Sequence, residues 1–364
     1  MTYLTPHRRK AFRGGTGFVT TWLTTGVDDT VTLPLRAGFT YGMIVDWGDG
    51  SSDEITAYDD AAIEHTYAAG GTQTITITGN CEAWYFNNGG DKLKFRTVES
   101  WGDVGFTGLG LEAAFYGCAN ATSFATEMPY YAVTTLTYTW YGCSSATSFP
   151  DVDALVLVTN LTYTWRSCSS ATSFPDVDAL VLVTSLSNTW RGCSSATSFP
   201  DVDALVLVDT LYQTWYGCSS ATSFPDVDAL VLVTNLSNTW QKCSATSFPA
   251  VDALVLVTTL TYTWYGCSSA TSFPDVDALV LVTGLSSAWN GCTACTTVPV
   301  LPSASTALVT TTAAMQGIGS GLLGSVAELW NTTAFPNVTA YSDTFTGATG
   351  LTNYADIPDG WKGL

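Results

Sequence analysis

The sequence has little charge, and positive charge is the scarcest. Of 364 residues only 12% are Asp, Glu, Lys or Arg, and 31 acids face 12 bases, a net charge of −19. Such a balance argues against nucleic acid as a partner, because phosphate neutralisation needs clustered Lys and Arg. The chain has two histidines, His7 and His65, so catalytic triads and His-ligated metal sites are hard to build. P-loop and G-x-S-x-G motifs are absent. No apolar run reaches 18 residues, which argues against a membrane-spanning helix. The start, MTYLTPHRRKAFRGG, has no apolar core after its bases and does not read as a secretory signal. What the chain does have is aromatic residues, 13 Trp, 17 Tyr and 16 Phe, with 46% hydrophobic residues overall. That composition excludes disorder and favours a well-packed, mainly β fold with no more than short helices.

Internal repetition dominates the rest. Cys118, Cys143, Cys168, Cys193, Cys218, Cys243, Cys267 and Cys292 recur every 25 residues, with one step of 24. Trp140, Trp165, Trp190, Trp215, Trp240, Trp264 and Trp289 keep the same period, as do Phe149, Phe174, Phe199, Phe224, Phe248 and Phe273. Phe115 opens a degenerate early copy, and the pattern decays after Trp289. One 25-residue unit cannot bury a Trp, a Phe, a Leu and a Cys alone, so the copies must stack and the repeated positions must form internal files. With stacked strands ~4.8 Å apart, seven or eight coils make a rod roughly 35–40 Å long. Within each copy, Ala146-Thr147-Ser148-Phe149 before Pro150 predicts a short strand. The spacing of Val158, Leu161 and Trp165 predicts a helical turn or short helix.

The repeats also carry acids. Asp151/Asp153, Asp176/Asp178, Asp201/Asp203, Asp226/Asp228 and Asp275/Asp277 recur coil by coil, while Asp252 stands alone because Ala250 replaces its partner. One reading makes the first Asp of each pair a turn cap in a solvated ladder. The other makes these ten residues calcium ligands that relieve the repulsion between stacked carboxylates. A catalytic role is excluded, since an acid pair repeated five times is architecture, and no other cofactor is implied. The cysteine file reads as free thiols, because a uniform ladder offers no natural pairing. Cys292 and Cys295 form a lone C-x-x-C, too little for zinc. Near the tryptophans, Tyr138, Tyr163, Tyr262, Ser187 and Ser237 suit carbohydrate or protein recognition, or simply solubilise the coil.

Two stretches resemble known families. Val45-Asp46-Trp47-Gly48-Asp49-Gly50-Ser51, then His65-Thr66-Tyr67, then Thr74 to Gly79 (TITITG) look like a PKD-type domain, an Ig-like β-sandwich. The resemblance makes Trp47 and His65 framework residues. The repeat V-T-x-L-x-x-T-W-x-G-C-S-S-A-T-S-F resembles that of BspA-like leucine-rich-repeat surface proteins, with Trp165 standing where that family has Phe. The expected organisation is therefore a basic arm (1–14), a PKD-like sandwich (15–80), a linker and cap (81–114), a solenoid of about eight 25-residue coils (115–314) and a degenerate repeat with a C-terminal cap (315–364). The BspA resemblance implies extracellular adhesion without a cofactor. With no export signal in view, the expected setting is a phage virion, as fibre, spike or capsid decoration on the particle surface. The arm residues Arg8, Arg9, Lys10 and Arg13 and the sandwich would contact other virion or shell proteins. The solenoid would meet a host surface protein or glycan, without membrane insertion. A purely structural cement protein and a bacterial cell-surface adhesin are the alternatives. Oligomeric state has no signature in the sequence, although fibre proteins are often trimeric.

Overall fold

A computed structural model describes residues 17–319, 322 and 324–364. The expected basic arm, with Arg8, Arg9, Lys10 and Arg13, lies outside the described residues.

The chain opens with alternating segments whose inward positions are apolar. Strand β1 (Phe18–Thr24) alternates buried and half-buried residues, as a strand with one face on a core must. It is followed by β2 (Asp29–Thr32), β3 (Tyr41–Asp46), β4 (Ser52–Ile55), β5 (Glu64–Tyr67) and β6 (Gly71–Cys81). Strands β2 and β5 pair antiparallel as a small separate sheet. The larger sheet has the order β4-β3-β6-β1 and then continues through β7 (Phe95–Ser100) to β9 (Ser123–Phe124). Strand β1 is therefore hydrogen-bonded on one side to β6 and on the other to β7. The segment expected to be a separate cap shares a sheet with the N-terminal region, and through β9 so does the first coil. A second small pair, β8 (Thr107–Gly108) with β10 (Ala132–Val133), is parallel.

From there on the repeats stack. Parallel bridges join Asn160 to Ser185, Ser185 to Thr210, Thr210 to Asn235, Asn235 to Thr259 and Thr259 to Gly284, so each coil lies on its predecessor. Stacking outlasts the sequence repeat, through Thr310 to Ala340. Met315 and Phe345 continue the tryptophan position, as their amides show by donating to the next layer. The end is closed by α1 (Asp359–Lys362), whose buried Trp361 stacks on Tyr341 at 4.6 Å and on Phe345 at 6.2 Å.

Strand β9 takes the predicted strand position in the first coil, but the later coils contain neither that strand nor a helix. The amides of Leu161, Tyr163, Trp165 and Ser167 donate forward to Ser185, Ser187, Thr189 and Arg191 of the next coil. Alternate residues that spend their donors on a neighbouring coil cannot close i→i−4 bonds. Tyr163 also has φ 62°, and the left-handed region interrupts any right-handed turn. The equivalents Tyr138, Asn188, Gln213, Asn238 and Tyr262 repeat that conformation. What remains is a chain of three-residue-back turns, such as Leu155 N–H to Val152 O and Val158 N–H to Leu155 O. The Thr-Ser-Phe segment likewise makes a single inter-coil bond, Thr222 N–H to Thr197 O for example, not a ladder. Among the described residues α-helix is confined to α1, and the fold is mainly β with many turns.

Inside the stack the expected files are present. Successive tryptophans from Trp140 to Trp289 lie with centroids 5.5–5.9 Å apart and planes 4–12° from parallel, an offset stack. All seven are fully buried. The phenylalanines form a parallel file at 5.6–5.9 Å. That file is at the rim of the core: Phe149 and Phe273 are buried, but Phe174, Phe199, Phe224 and Phe248 are only partly covered. Each phenylalanine leans its edge or a tilted face on the indole of its own coil.

Two polar files hold the coils in register. From Cys168 to Cys292 the repeat cysteine thiols donate to the carbonyl of the tryptophan one layer back, Cys168 to Trp140, Cys193 to Trp165 and Cys218 to Trp190 all at 3.1 Å. From Thr139 to Thr263 the buried repeat threonine hydroxyls do the same to a leucine carbonyl, Thr164 to Leu136 and Thr189 to Leu161 at 3.0 Å. Burial raises the thiol pKa values, Cys143 and Cys193 among them, which keeps the S–H in place as a donor. The ten cysteines are free thiols.

Candidate interaction surface

Equivalent positions of successive coils lie side by side on the surface, so the outward residues form stripes along the stack. Three such stripes exist, and the sequence pointed to two of them.

The first is the acidic edge. Asp151, Asp153, Asp176, Asp178, Asp201, Asp203, Asp226, Asp228, Asp275 and Asp277 all lie on the surface. Asp151 accepts the amide of Asp153 at 2.9 Å through Oδ1, the turn-capping arrangement. Burial and then the neighbouring carboxylates Asp176, Asp201 and Asp203 raise the pKa of Asp178. Burial, followed by Asp252, Asp226 and Asp203, does the same to Asp228. Among the described residues no group of three or more His, Cys, Asp or Glu side chains is gathered closely enough to hold a metal ion. Where the coil is one residue shorter and Ala250 replaces an aspartate, the edge opens into a groove of about 390 Å³. It is lined by Phe248, Asp252, Ser272, Phe273, Asp275 and Asp277 among others.

The second stripe is aromatic. Tyr138 stacks on Tyr163 at 4.7 Å and Tyr116 on Tyr141 at 4.6 Å, both 7° from parallel. The Arg166 guanidinium caps this run, 4.9 Å from the Tyr141 ring and 5.2 Å from that of Tyr163. Arg191 sits over Tyr216 at 4.5 Å. Tyr138, Tyr163, Ser187 and Ser237 are half-buried, and only Tyr262 of the five residues singled out is exposed. Because the rings cover one another, the flank offers edges, hydroxyls and guanidinium groups in place of open ring faces. Sugar stacking needs an open face, and here Tyr262 is the better supplier.

The third stripe was missed. Val156/Leu157, Val181/Leu182, Val206/Leu207, Val231/Leu232, Val255/Leu256 and Val280/Leu281 are exposed in every full coil, at 38–51%. The signal was present in the run Leu-Val-Leu-Val. Leu155 and Val158, three apart, are buried, so the two residues between them must face out.

In the N-terminal region the candidate residues are structural. His65 lies flat on Trp47 at 4.7 Å and contacts Asp49 at 2.8 Å. Trp47 donates from Nε1 to Asp53 and accepts from Tyr67 Oη at its carbonyl. The hydroxyl and amide of Ser51 and the His65 ring hold Asp49 down at about 2.

Comparison with known proteins adds little. No protein-family model matches the chain, and no curated protein matches it. One solved structure, a leucine-rich cell surface protein from Faecalibacterium prausnitzii, aligns with 73% of this chain and 90% of its own, at 12% identity and a TM-score of 0.25. That score is too low to support an argument about fold or function.

Proposed function

We propose that the chain is a non-enzymatic, surface-displayed recognition protein: a PKD-like sandwich joined to a leucine-rich-repeat-type solenoid whose aromatic flank contacts the ligand. The supporting observation is the division of labour within each coil. Buried Trp, Cys, Thr and Leu are consumed by stacking, whereas the surface positions of the flank vary along the stack, as Arg166, Arg191, Tyr216, Gln241 and Tyr265 show at one of them. Long repeated surfaces of this kind suit extended ligands, a glycan chain or a protein face. The aromatic flank, with Tyr262, Arg166 and Arg191, is the surface proposed for contact.

The finer proposal places the protein on a phage particle, as fibre, spike or capsid decoration, held by its N-terminal region. It draws on charge segregation: Arg8, Arg9, Lys10 and Arg13 are four of the twelve bases in a chain of net charge −19, which suits docking to an acidic neighbour. Binding of the purified protein to glycan arrays and to bacterial cells, with Tyr262→Ala and Arg191→Ala as weakened variants, tests recognition. Mass spectrometry of purified particles tests location. A chain that binds neither surface, or that reaches a cell envelope by export, defeats the corresponding half of the proposal.

A further inference from the structure

The valine–leucine stripe has no role in the fold and none in the recognition just proposed. Six coils each expose one Val at 43–51% and one Leu at 38–44%. Together these side chains present on the order of 900 Å² of nearly continuous apolar surface, above the few hundred Å² that a monomer normally leaves open. It also matches the roughly 800 Å² per partner of a standard stable interface. From the juxtaposition of these twelve side chains on one face of the stack, we infer that the chain associates side by side with a second copy of itself through this stripe, the two stacks running parallel.

Three observations select that occupant. The first is period. The stripe repeats once per coil, bridge by bridge from Asn160 to Gly284, and an identical stack offers a surface of the same period along its whole length. The second is charge. The chain carries −19, and the stripe runs beside the exposed aspartates, so an anionic membrane surface is repelled. The third fixes direction. Along each coil the stripe is preceded by the aspartate pair, Asp201 and Asp203 for instance, and followed by an exposed column of Thr159, Thr184, Asp209, Thr234, Thr258 and Thr283. A two-fold axis parallel to the stack sets each aspartate column against the partner's mainly threonine column. An axis across the stack sets aspartates against aspartates at the rim, where like charges meet. The parallel pair leaves both N-terminal regions at the same end, as two copies anchored side by side on one surface require.

The experiment is sedimentation equilibrium of the full chain at micromolar concentrations, with Leu207→Glu/Leu232→Glu and the milder Leu207→Ser/Leu232→Ser. Both residues are about two-fifths exposed, so far-UV circular dichroism and the melting curve should stay close to wild type. The expected result is a wild-type mass of twice the chain mass. The Glu variant should have the mass of one chain, and the Ser variant a dissociation constant raised at least tenfold. Direction is read with Val156→Cys, at one end of the stripe: under mild oxidation a parallel pair cross-links Val156→Cys to itself. An antiparallel pair links only a mixture of Val156→Cys and Val280→Cys chains. A monomeric wild type, an assembly that survives the Glu variant, or cross-linking in the mixture alone overturns the proposal. A monomer that floats with phosphatidylcholine vesicles overturns it too, in favour of a lipid-facing stripe. None of these outcomes depends on whether a glycan or host ligand is found.

Discussion

The N-terminal sheet and the coil stack are built from the same aromatic residues, yet they use them in opposite ways. In the sheet each tryptophan has its own surroundings. Trp22 donates its indole N–H to Thr20, Trp47 to Asp53 and Trp101 to the carbonyl of Ala125. In the stack the seven tryptophans have one shared environment, and none of their indole N–H groups has a hydrogen-bond partner. Trp84, at the junction, shares that property. A unique site can shape a partner for each polar atom, whereas a repeated site must satisfy its neighbours above and below with one geometry. The stack therefore relies on ring overlap and assigns its directional bonds to Cys, Thr and the backbone. Its stability should be a sum of coil and interface contributions, while the sheet should behave as one unit.

The largest test of that contrast is Trp215→Ala. Removing a ring from mid-stack opens a cavity against both Trp190 and Trp240 and should cost ~3–5 kcal/mol. Urea unfolding followed by tryptophan fluorescence should then show a separate early transition as the coils part at that layer. A single unshifted transition contradicts the layered picture. Thr214→Val comes next. It keeps the volume but leaves the Leu186 carbonyl without its hydroxyl donor at 3.0 Å, at a cost of about 1–3 kcal/mol. Replacing exposed Thr159 by Val should be close to neutral in the same assay.

Ser167→Gly should have the opposite sign. Ser167 holds φ 59° where most coils have a glycine, such as Gly192 and Gly217. Glycine there should raise stability by about 1 kcal/mol, read as an increase in denaturation midpoint. The smallest effect is pH. Asp49 has a folded pKa near 2, below its unfolded value, so its contribution is present above about pH 4 and lost as pH falls from there towards 2. Asp178 and Asp228 have raised folded values. They oppose folding while ionised, and protonation relieves them as pH falls through that raised range. Mild acid should therefore loosen the sheet and slightly tighten the stack, which hydrogen exchange resolved by region can separate. Loss of protection in the coils first reverses the assignment.

Much of this was readable in advance because it depends on period alone. Cys168 and Trp165 recur at a fixed step, so they must superpose once the units stack, whatever path the chain takes between them. The framework role of Trp47 and His65 was legible for a different reason, because the W-G-D-G turn and H-T-Y strand are local patterns. What the local pattern misjudged was the path itself. The three- and four-residue spacing of Val158, Leu161 and Trp165 suits a helix, but it equally suits successive turns whose amides reach the next coil. The phenylalanine file is present as expected but sits at the rim, with Phe174, Phe199, Phe224 and Phe248 only partly covered, because period fixes which rings superpose and not how deeply they are covered.

The amino-acid sequence by itself determined the length of the repeating unit, the identity of the stacked side chains and the scarcity of cationic residues and histidine. Tertiary structure alone decided where each amide donor is spent, that Thr164 and Cys168 bond backward to Leu136 and Trp140, and that the Val156 and Leu157 positions of successive coils join into one stripe. The reason is that spacing along the chain is fixed by covalent order, whereas a hydrogen bond between coils, and the surface left beside it, exists only after the neighbouring coil is in place.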